Sequence, residues 1–342
     1  MNTRKVKNIV INVAIISGVL IFSPHTASAL SVSPPRVELQ GNPGQTITQD
    51  MTLTNDTKST EIFYSSFANF EAQGETGNPA FVQSKDDLDT WMTTEKSVAL
   101  KAGQSIIVPV KINIPDSADP GGHFAAVFWG TAPTTVGSSA VSIGAKVGML
   151  ILLSVAGDVK EAGGLLSFST ANNQFWYNTL PVSFEYRFKN DGGDRIKPIG
   201  QITIHDMVYL PADRLDANIG EGNVLPSSTR RFNVDWIKNP RSKDYVAPTG
   251  MFAKFFDQAL YEWKNFAVGP YLAKLDLIYG TGAIHTGKSV FIFVFPWQLL
   301  ICLTIIFIIV FWGGRKLIRR YNNHIIQKAR AGMNTPNDAN HV

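Results

Sequence analysis

Cysteine is almost absent from this chain of 342 residues, which has only Cys302, inside an apolar run. Metal sites built from several thiolates and frameworks of disulfides are therefore excluded, so stability must come from buried apolar surface. Charged residues are also sparse, at 17%, whereas 44% of residues are hydrophobic. These proportions exclude a disordered or collagen-like chain and predict about two domains with ordinary cores.

The net charge of +4 arises at the two ends of the chain. Three bases and no acid occupy residues 1–29, and six bases and one acid follow Gly314. The sequence between them has more acids than bases. The overall basicity is therefore no sign of nucleic-acid binding, and no nucleic-acid partner is expected.

Residues 1–29 have the pattern of a secretory signal. A basic start precedes the apolar run Ile9 to Phe22, and the small residues Ala27-Ser28-Ala29 then predict cleavage before Leu30. An uncleaved N-terminal anchor is the alternative. No cysteine follows the apolar run, which excludes a lipid-anchored lipoprotein.

A second apolar run, Val290 to Trp312, is followed by a basic cluster. Such a run is long enough to cross a bilayer as a helix, and basic clusters remain on the cytoplasmic side. Pro296 divides the run into a final β-strand and a transmembrane helix over 296–314, although one continuous helix from Val290 is the alternative. The expected localisation is the cell membrane, crossed once, with the bulk of the chain extracytoplasmic and residues 315–342 as a cytoplasmic tail.

Apolar and polar residues alternate with a period of two between these runs. Successive side chains of a β-strand face opposite sides, so each row predicts one inward face. The clearest rows are Ile106 to Ile114, Val182 to Phe188 and Tyr271 to Tyr279. Turn residues such as Asn42-Pro43-Gly44 separate the rows. Many short strands without alternating helices predict an all-β fold of two tandem Ig-like β-sandwiches.

The boundary between the sandwiches is predicted near Gly157, where a long apolar run ends in glycines. Domain 1 is then residues 30–156, and domain 2 is residues 157–295. Domain 2 contains one break in the β pattern, because residues 251–267 carry Phe, Ala, Leu and Trp at helical spacing. This inserted amphipathic helix either caps one edge of the sandwich or lies on the outer membrane surface.

The extracytoplasmic part lacks the residue patterns of catalysis. It has no G-x-S-x-G elbow, no S-x-x-K pair and no cysteine nucleophile, so the protein is not expected to be an enzyme. The acidic run Asp86-Asp87-x-Asp89 lacks the glycine and later glutamate of an EF-hand and is predicted to be a solvated turn. No metal and no cofactor are expected, and His123 is predicted to be structural. Asn55-Asp56-Thr57 matches a glycosylation sequon, and Asn55 is otherwise a turn residue.

The candidate partner-binding residues lie in domain 2. Arg230 and Arg231 precede Trp236 in the sequence, and Arg241 precedes Tyr245. Guanidinium groups beside aromatic rings can bind an anionic glycan or the carboxylate of a partner. Ordinary surface charge between strands is the alternative.

The first half of the chain also carries a family resemblance. It contains Val98-x-Leu100-x-Ala102-Gly103-Gln104-Ser105 and Asp119-Pro120-Gly121-Gly122-His123, after an opening Ser33-Pro34-Pro35-Arg36. These strand-and-turn patterns resemble exported bacterial Ig-like domains related to the peptidoglycan-binding domain of WxL-interacting proteins. Downstream, Pro198-x-Gly200-x-Ile202 is similar to the second Ig-like domain of such anchored proteins.

The resemblance implies a membrane-anchored bacterial surface protein that holds cell-wall material or a surface partner, and it supplies no binding residues. The expected function is therefore non-enzymatic: Ig-like domains outside the membrane bind a cell-wall polymer or a surface protein. The alternative is a membrane-tethered, chaperone-like assembly factor that completes a partner's sandwich by strand complementation.

Overall fold

The structure is a computed structural model that describes residues 30–82, 87–131 and 146–333, with side chains up to residue 328. The predicted signal sequence, residues 1–29, lies outside the described residues. The described chain is mostly β-sheet and forms two compact units. The predicted all-β fold class is therefore confirmed.

The two units do not follow the predicted boundary in every detail. The first unit contains the chain up to Glu71 together with Pro79–Lys160. The second contains Ala72–Asn78 together with Glu161–Val342. The division thus falls after Lys160 rather than after residue 156, and a short segment from the first half of the chain belongs to the second unit.

The first unit is a β-sandwich. Its described elements are β1 (Ser31–Ser33), β2 (Arg36–Gly41), β3 (Thr46–Thr54), β4 (Glu61–Gln73), β5 (Asn78–Val82), α1 (Leu88–Trp91), β6 (Met92–Thr93), β7 (Ser97–Leu100), β8 (Ser105–Asn113), β9 (Gly121–Gly130) and β10 (Lys146–Val155). One sheet has the order β1-β3-β8-β6, and the other has the order β2-β10-β9-β4-β5, with β7 also paired to β4. Side chains from both sheets share one core.

Burial in the first unit follows the alternation of the sequence. In β8, Val108, Val110 and Ile112 are buried, whereas Lys111 and Asn113 are exposed, as predicted. The opposite sheet contributes large apolar side chains to the same core, among them the fully buried Phe63 and Trp129. Removing this apolar surface from water stabilises the sandwich in place of disulfides.

The second unit is another β-sandwich with one inserted helix. Its described elements are β11 (Gly163–Thr170), β12 (Trp176–Tyr177), β13 (Val182–Asn190), β14 (Ile199–His205), β15 (Pro211–Asp216), β16 (Ser228–Trp236), α2 (Met251–Lys264), β17 (Gly269–Tyr279), β18 (Ile284–Val294) and α3 (Trp297–Met333). The sheets have the orders β11-β13-β16 and β12-β18-β17-β14-β15. The predicted inward rows of β13 and β17 meet in one core.

The inserted helix α2 confirms the helical spacing found in the sequence. It ends at Lys264, three residues before the predicted end. Asn265 follows it, and its side-chain amide donates hydrogen bonds to the carbonyl oxygens of Tyr261 and Asn239 at 3.2 and 3.0 Å. The backbone N–H of Asn265 donates to the same Tyr261 carbonyl at 3.0 Å, so Asn265 closes the last turn and ties it to Asn239.

The long C-terminal helix α3 starts directly after the last strand. Residues up to Val294 pair with β17, and the helix begins at Trp297, so the predicted break at Pro296 is confirmed and a continuous helix from Val290 is excluded. Residues 297–328 are long and apolar enough to cross a membrane by length and composition, with a mean hydropathy of 2.2 in the most apolar window. The helix continues to Met333, beyond the predicted end of the apolar segment.

A buried carboxylate joins α2 to α3. Glu262 is 1% exposed, and its Oε2 accepts a hydrogen bond of 2.7 Å from the backbone N–H of Leu299, in the first turn of α3. The N–H groups of a first turn have no partner within their own helix, and negative charge is favoured beside them. Burial raises the pKa of Glu262, and the bond from Leu299 opposes this shift. The start of α3 is therefore held against α2.

Candidate partner-binding surface

The larger sheet of the first sandwich is apolar on the face turned away from the core. Residues paired across strands lie on the same face of a sheet. Ala126 pairs with Ala68 and with Leu150, and Phe124 pairs with Leu152. These residues are not part of the core cluster, to which β9 contributes Ala125, Val127 and Trp129 instead. The sheet therefore has two apolar faces.

Four phenylalanines form a contiguous cluster on this outward face. The ring centroids of Phe70 lie 6.2 Å from Phe81 and 6.0 Å from Phe124, and those of Phe81 and Phe128 are 4.9 Å apart. We name the four rings and Leu152 the outer aromatic face. Phe81 is 48% exposed, whereas Phe70 and Phe124 are 6% and 9% exposed. The buried rings thus hold Phe81 in place at the surface.

The surroundings of the outer aromatic face resemble a protein interface in composition. Gly148 lets the Phe128 ring lie over β10, because a Cβ at this glycine would come within 2.7 Å of the ring. The neighbouring edge strand β2 places Arg36 beside Leu150 and Glu38 beside Leu152. Arg36 Nε and Glu38 Oε1 are 3.8 Å apart. An apolar centre with aromatic rings and a polar rim is typical of protein–protein interfaces.

The outer aromatic face was not predicted from the sequence. Strands β9 and β10 have nearly continuous apolar runs, and a run of that kind shows that both faces of a strand are apolar. The signal was therefore present between Phe124 and Trp129. Period-two alternation, which located the other strands, does not assign an outward face in such a run.

The predicted arginines of β16 bind a segment of this chain. Arg231 donates its backbone N–H to the carbonyl oxygen of Glu75 at 2.7 Å, and its Nη2 lies 3.4 Å from Glu75 Oε2. Arg187 also donates to the Glu75 carboxylate. Hydrogen bonds from Arg187 first, and from Arg231, lower the pKa of Glu75. Glu75 lies in the Ala72–Asn78 segment of the second unit and occupies the position that the sequence analysis gave to a partner carboxylate.

Arg230 and Arg241 also have partners within the second unit. Arg230 Nη1 donates to the carbonyl oxygen of Asn223 at 2.8 Å. The Arg241 guanidinium lies over the rings of Tyr245 and Tyr261, at 4.1 and 4.3 Å from their centroids. Its Nη1 is 2.7 Å from Asp257 Oδ2, and it lines a pocket of about 480 Å³. These contacts attach the loop before α2 to the helix.

Trp236 is a core residue. It is fully buried, and its Nε1 donates a hydrogen bond of 2.9 Å to Asp213 Oδ2. A side chain with no exposed surface does not contact a partner, so a surface role for Trp236 does not fit this position. The structure therefore does not bring together Arg230, Arg231, Trp236 and Arg241 as one surface.

His123, Asp87 and Asp89 are held by hydrogen bonds in the first unit, whereas Asp86 of the acidic run lies outside the described residues. His123 Nδ1 lies 2.7 Å from Asp87 Oδ1, and Nε2 lies 2.9 Å from the carbonyl oxygen of Asp119. Asp87 also accepts from Leu88 N at the start of α1, and Asp89 exchanges hydrogen bonds with Asn69. Asp87 and Asp89 are thus structural residues rather than a solvated turn. No group of three or more metal-ligating side chains occurs in the described part of the chain.

The pair of Asp87 and His123 should make the stability of the first sandwich depend on pH. Burial lowers the pKa of His123, but the acceptors Asp87 and Asp119 outweigh it, so the pKa is raised. The bond from His123 lowers the pKa of Asp87. The histidine's contribution is therefore complete below its ordinary pKa of about 6.5 and is lost as pH rises through the raised value. We expect a loss of up to about 1 kcal/mol between pH 6 and pH 8.5.

The measurement is the stability of the first sandwich as a function of pH, monitored in the full chain by hydrogen exchange in β9. The His123→Gln variant should show no such change over the same pH range. At acid pH the contribution of Asp87 is lost as pH falls below about 3.9 towards the lowered pKa. Equal pH dependence in the wild type and the variant would show that His123 does not carry the effect.

Comparisons with known proteins give similarities of structure alone. No family model matches the chain, and no curated protein matches it. A class 5 fimbriae chaperone, CfaA, is similar at a TM-score of 0.36 and 11% identity, over 77% of this chain and 98% of that chain. A chaperone–tip adhesin pre-assembly complex of Acinetobacter baumannii Csu pili is similar at a TM-score of 0.34 and 12% identity, over 78% of this chain and 99% of that chain. The E. coli chaperone DraB is similar at a TM-score of 0.31 and 12% identity, over 77% of this chain and 96% of that chain.

Proposed function

We propose that this protein is a non-enzymatic, membrane-anchored surface protein, and that its first sandwich binds a protein partner through the outer aromatic face. The observation that carries the proposal is the cluster of Phe70, Phe81, Phe124 and Phe128 on the outward side of the larger sheet. A sandwich needs only one apolar face per sheet for its own core. The second apolar face is not needed for the core, and it reaches the surface through Phe81, which is 48% exposed.

The burial of the rings favours a protein over a cell-wall polymer as the partner. Aromatic platforms that bind sugars present an open ring face, whereas Phe70 and Phe124 are almost entirely buried and only Phe81 is half exposed. A half-exposed aromatic anchor surrounded by apolar and then polar groups is the arrangement of an interface hot spot. The apolar helix α3 supports the membrane anchor by its length and composition.

Replacing Phe81 should remove the partner. In the Phe81→Ser variant we expect binding to weaken by roughly 30-fold, because truncating a hot-spot aromatic residue costs about 2 kcal/mol. The experiment is affinity capture from intact membranes with tagged full-length protein, scored by the proteins recovered. Phe175→Ser is the matched control, since Phe175 is 61% exposed and lies in the second unit.

The two arms of the capture experiment separate the partner classes. Recovery of a surface protein by the wild type and by Phe175→Ser, but not by Phe81→Ser, supports the proposal. In the second arm, the same proteins are incubated with isolated cell-wall sacculi. Binding to sacculi by the wild type that is lost in Phe81→Ser would show that the partner is a polymer. Equal recovery by all three proteins would show that the outer aromatic face does not bind.

A second candidate function, strand complementation, is favoured by the edge strand β2. Among the described strands it pairs only with β10, in parallel, and its other edge has no strand beside it. An extended segment of a partner can add to an edge of this kind through backbone hydrogen bonds. A co-purifying protein that leaves only in denaturant, and whose capture survives Phe81→Ser, would favour this function.

A further inference from the structure

Helix α2 exposes its most apolar stripe. Phe252, Phe256, Leu260 and Trp263 are 77%, 60%, 54% and 59% exposed. Their spacing of four, four and three residues places them on one side of the helix. The side that is covered instead includes the buried carboxylate Glu262. A helix on a soluble sandwich would bury its apolar stripe, so this orientation is the reverse of the usual one.

The stripe lies beside the start of the apolar helix α3. Glu262 accepts the hydrogen bond from Leu299 N, and the ring centroids of Phe255 and Trp297 are 5.8 Å apart. Trp297 is the first residue of α3, at the position where tryptophan marks a membrane interface. α2 is therefore at the level at which the apolar span begins.

A second apolar element lies at the same end of the sheet. In β17, Gly269 pairs with Val294 and Leu272 pairs with His205, so β14 ends close to where β18 leads into α3. The turn after β14 contains Met207, Val208, Tyr209 and Leu210, which are 77%, 68%, 61% and 60% exposed. In the order β18-β17-β14 this turn is two strand spacings from β18, or about 10 Å.

The turn holds its apolar residues in a fixed arrangement. Asp206 Oδ1 accepts hydrogen bonds from the N–H groups of Val208 and Leu210, at 3.0 and 2.8 Å. The ring of Tyr209 stacks on that of His205 with centroids 4.4 Å apart. The other end of the sheet, at the turn between β17 and β18, has Gly280, Thr281 and Gly282 instead. This turn therefore lacks the large apolar side chains of the turn at residues 207–210.

We propose that this end of the second sandwich is immersed in the lipid interface of the membrane that α3 crosses. The exposed stripe of α2 and the turn at residues 207–210 then contact the headgroup and upper acyl region, and α2 is an interfacial helix. Such helices lie about 5–10 Å deep in the headgroup and acyl boundary. The proposal rests on the membrane anchor of the proposed function. It makes the lipid bilayer, rather than a protein, the partner of these exposed side chains.

Depth-dependent quenching tests the proposal with the full chain. The native cysteine is first removed as Cys302→Ser. In this background, single cysteines are introduced as Val208→Cys, Phe256→Cys, Thr281→Cys and Ile308→Cys. Each is labelled with an environment-sensitive fluorophore and reconstituted into phosphatidylcholine vesicles that carry nitroxide lipids, either near the headgroup or deep in the acyl chain. Thr281 is the control in the turn at the opposite end of the same sheet, and Ile308 is the control inside the apolar span.

We expect headgroup-level nitroxides to lower the emission at positions 208 and 256 at least twofold, with no change at 281, and deep nitroxides to quench position 308. Quenching at 308 without quenching at 208 and 256 would overturn the inference and leave the anchor intact. No quenching at 308 would overturn both the inference and the membrane anchor of the proposed function. Emission at 208 and 256 that responds to added surface proteins but not to nitroxide lipids would also overturn it, since the partner would then be a protein.

Discussion

Asn55→Ala is expected to lower the free energy of unfolding of the first sandwich by roughly 3 kcal/mol or more. Asn55 is fully buried, and its Nδ2 lies within hydrogen-bonding distance of the carbonyl oxygens of Ser59, Leu100 and Lys101, at 2.9, 2.9 and 3.2 Å. Its Oδ1 accepts from the backbone N–H and the hydroxyl of Thr57. Alanine would remove all of these bonds, including the buried one to the carbonyl oxygen of Leu100, and loss of a partner costs about 1–3 kcal/mol for a buried polar group.

Hydrogen exchange of β3 and β7 peptides in the full chain gives the unfolding free energy of this region. Asn55→Asp is the matched comparison, because it keeps the oxygen that binds Thr57 but turns a second carboxyl oxygen towards three carbonyl acceptors in a buried site, so its loss should be at least as large as that of alanine. A change below about 0.5 kcal/mol for alanine, the range of an ordinary surface substitution, would contradict the structural role. The same burial shows that Asn55 acts as a turn residue and that its amide is not accessible for glycosylation in the folded protein.

Trp236→Ala is expected to destabilise the second sandwich by about 3–5 kcal/mol, since it empties the space of a fully buried indole. The fully buried side chain packs in the core with Tyr271, at 5.0 Å between ring centroids, and binds Asp213. The measurement is hydrogen exchange in β13 and β17. If Trp236 instead served a partner, the variant would lose capture of that partner while the exchange in both strands stayed at the wild-type rate.

Trp263→Ala is the matched control for this experiment. Its indole is 59% exposed on α2 and lies outside the core cluster. Substitutions of exposed side chains usually change stability by less than about 0.5 kcal/mol. Comparing the stability change of the two variants therefore distinguishes the effect of a core tryptophan from that of an exposed one in the same unit.

Much of the fold was predictable because burial in a strand follows a period of two. Val182, Phe184 and Tyr186 alternate with polar residues in the sequence and are fully buried in the structure. The break at Pro296 was predictable for a local reason, since proline cannot donate the hydrogen bond that continues a strand ladder. Local rules of this kind act over a few residues and can be applied to one sequence.

The sites were harder to predict because they depend on contacts between distant residues. Arg187 and Glu75 are 112 positions apart, so nothing near Arg230 or Arg231 in the sequence indicated that a glutamate of the same chain would take the place of a partner. Trp236 lies among charged residues in the sequence, yet its inward position in β16 buries it. The phenylalanines of the outer aromatic face come from three strands, β4, β5 and β9, which only the sheet order brings together.

The junction between β18 and α3 has a mechanical consequence. Only Phe295 and Pro296 separate the last strand from the helix, and Glu262 holds the first helical turn. A flexible linker would absorb a displacement of the sandwich by stretching, but this junction has no slack. We therefore expect a displacement of the second sandwich to be transmitted to the start of the helix. The helix has 37 residues with a rise of about 1.5 Å each, so it is roughly 55 Å long. A displacement at Trp297 would be transmitted over this length to Met333.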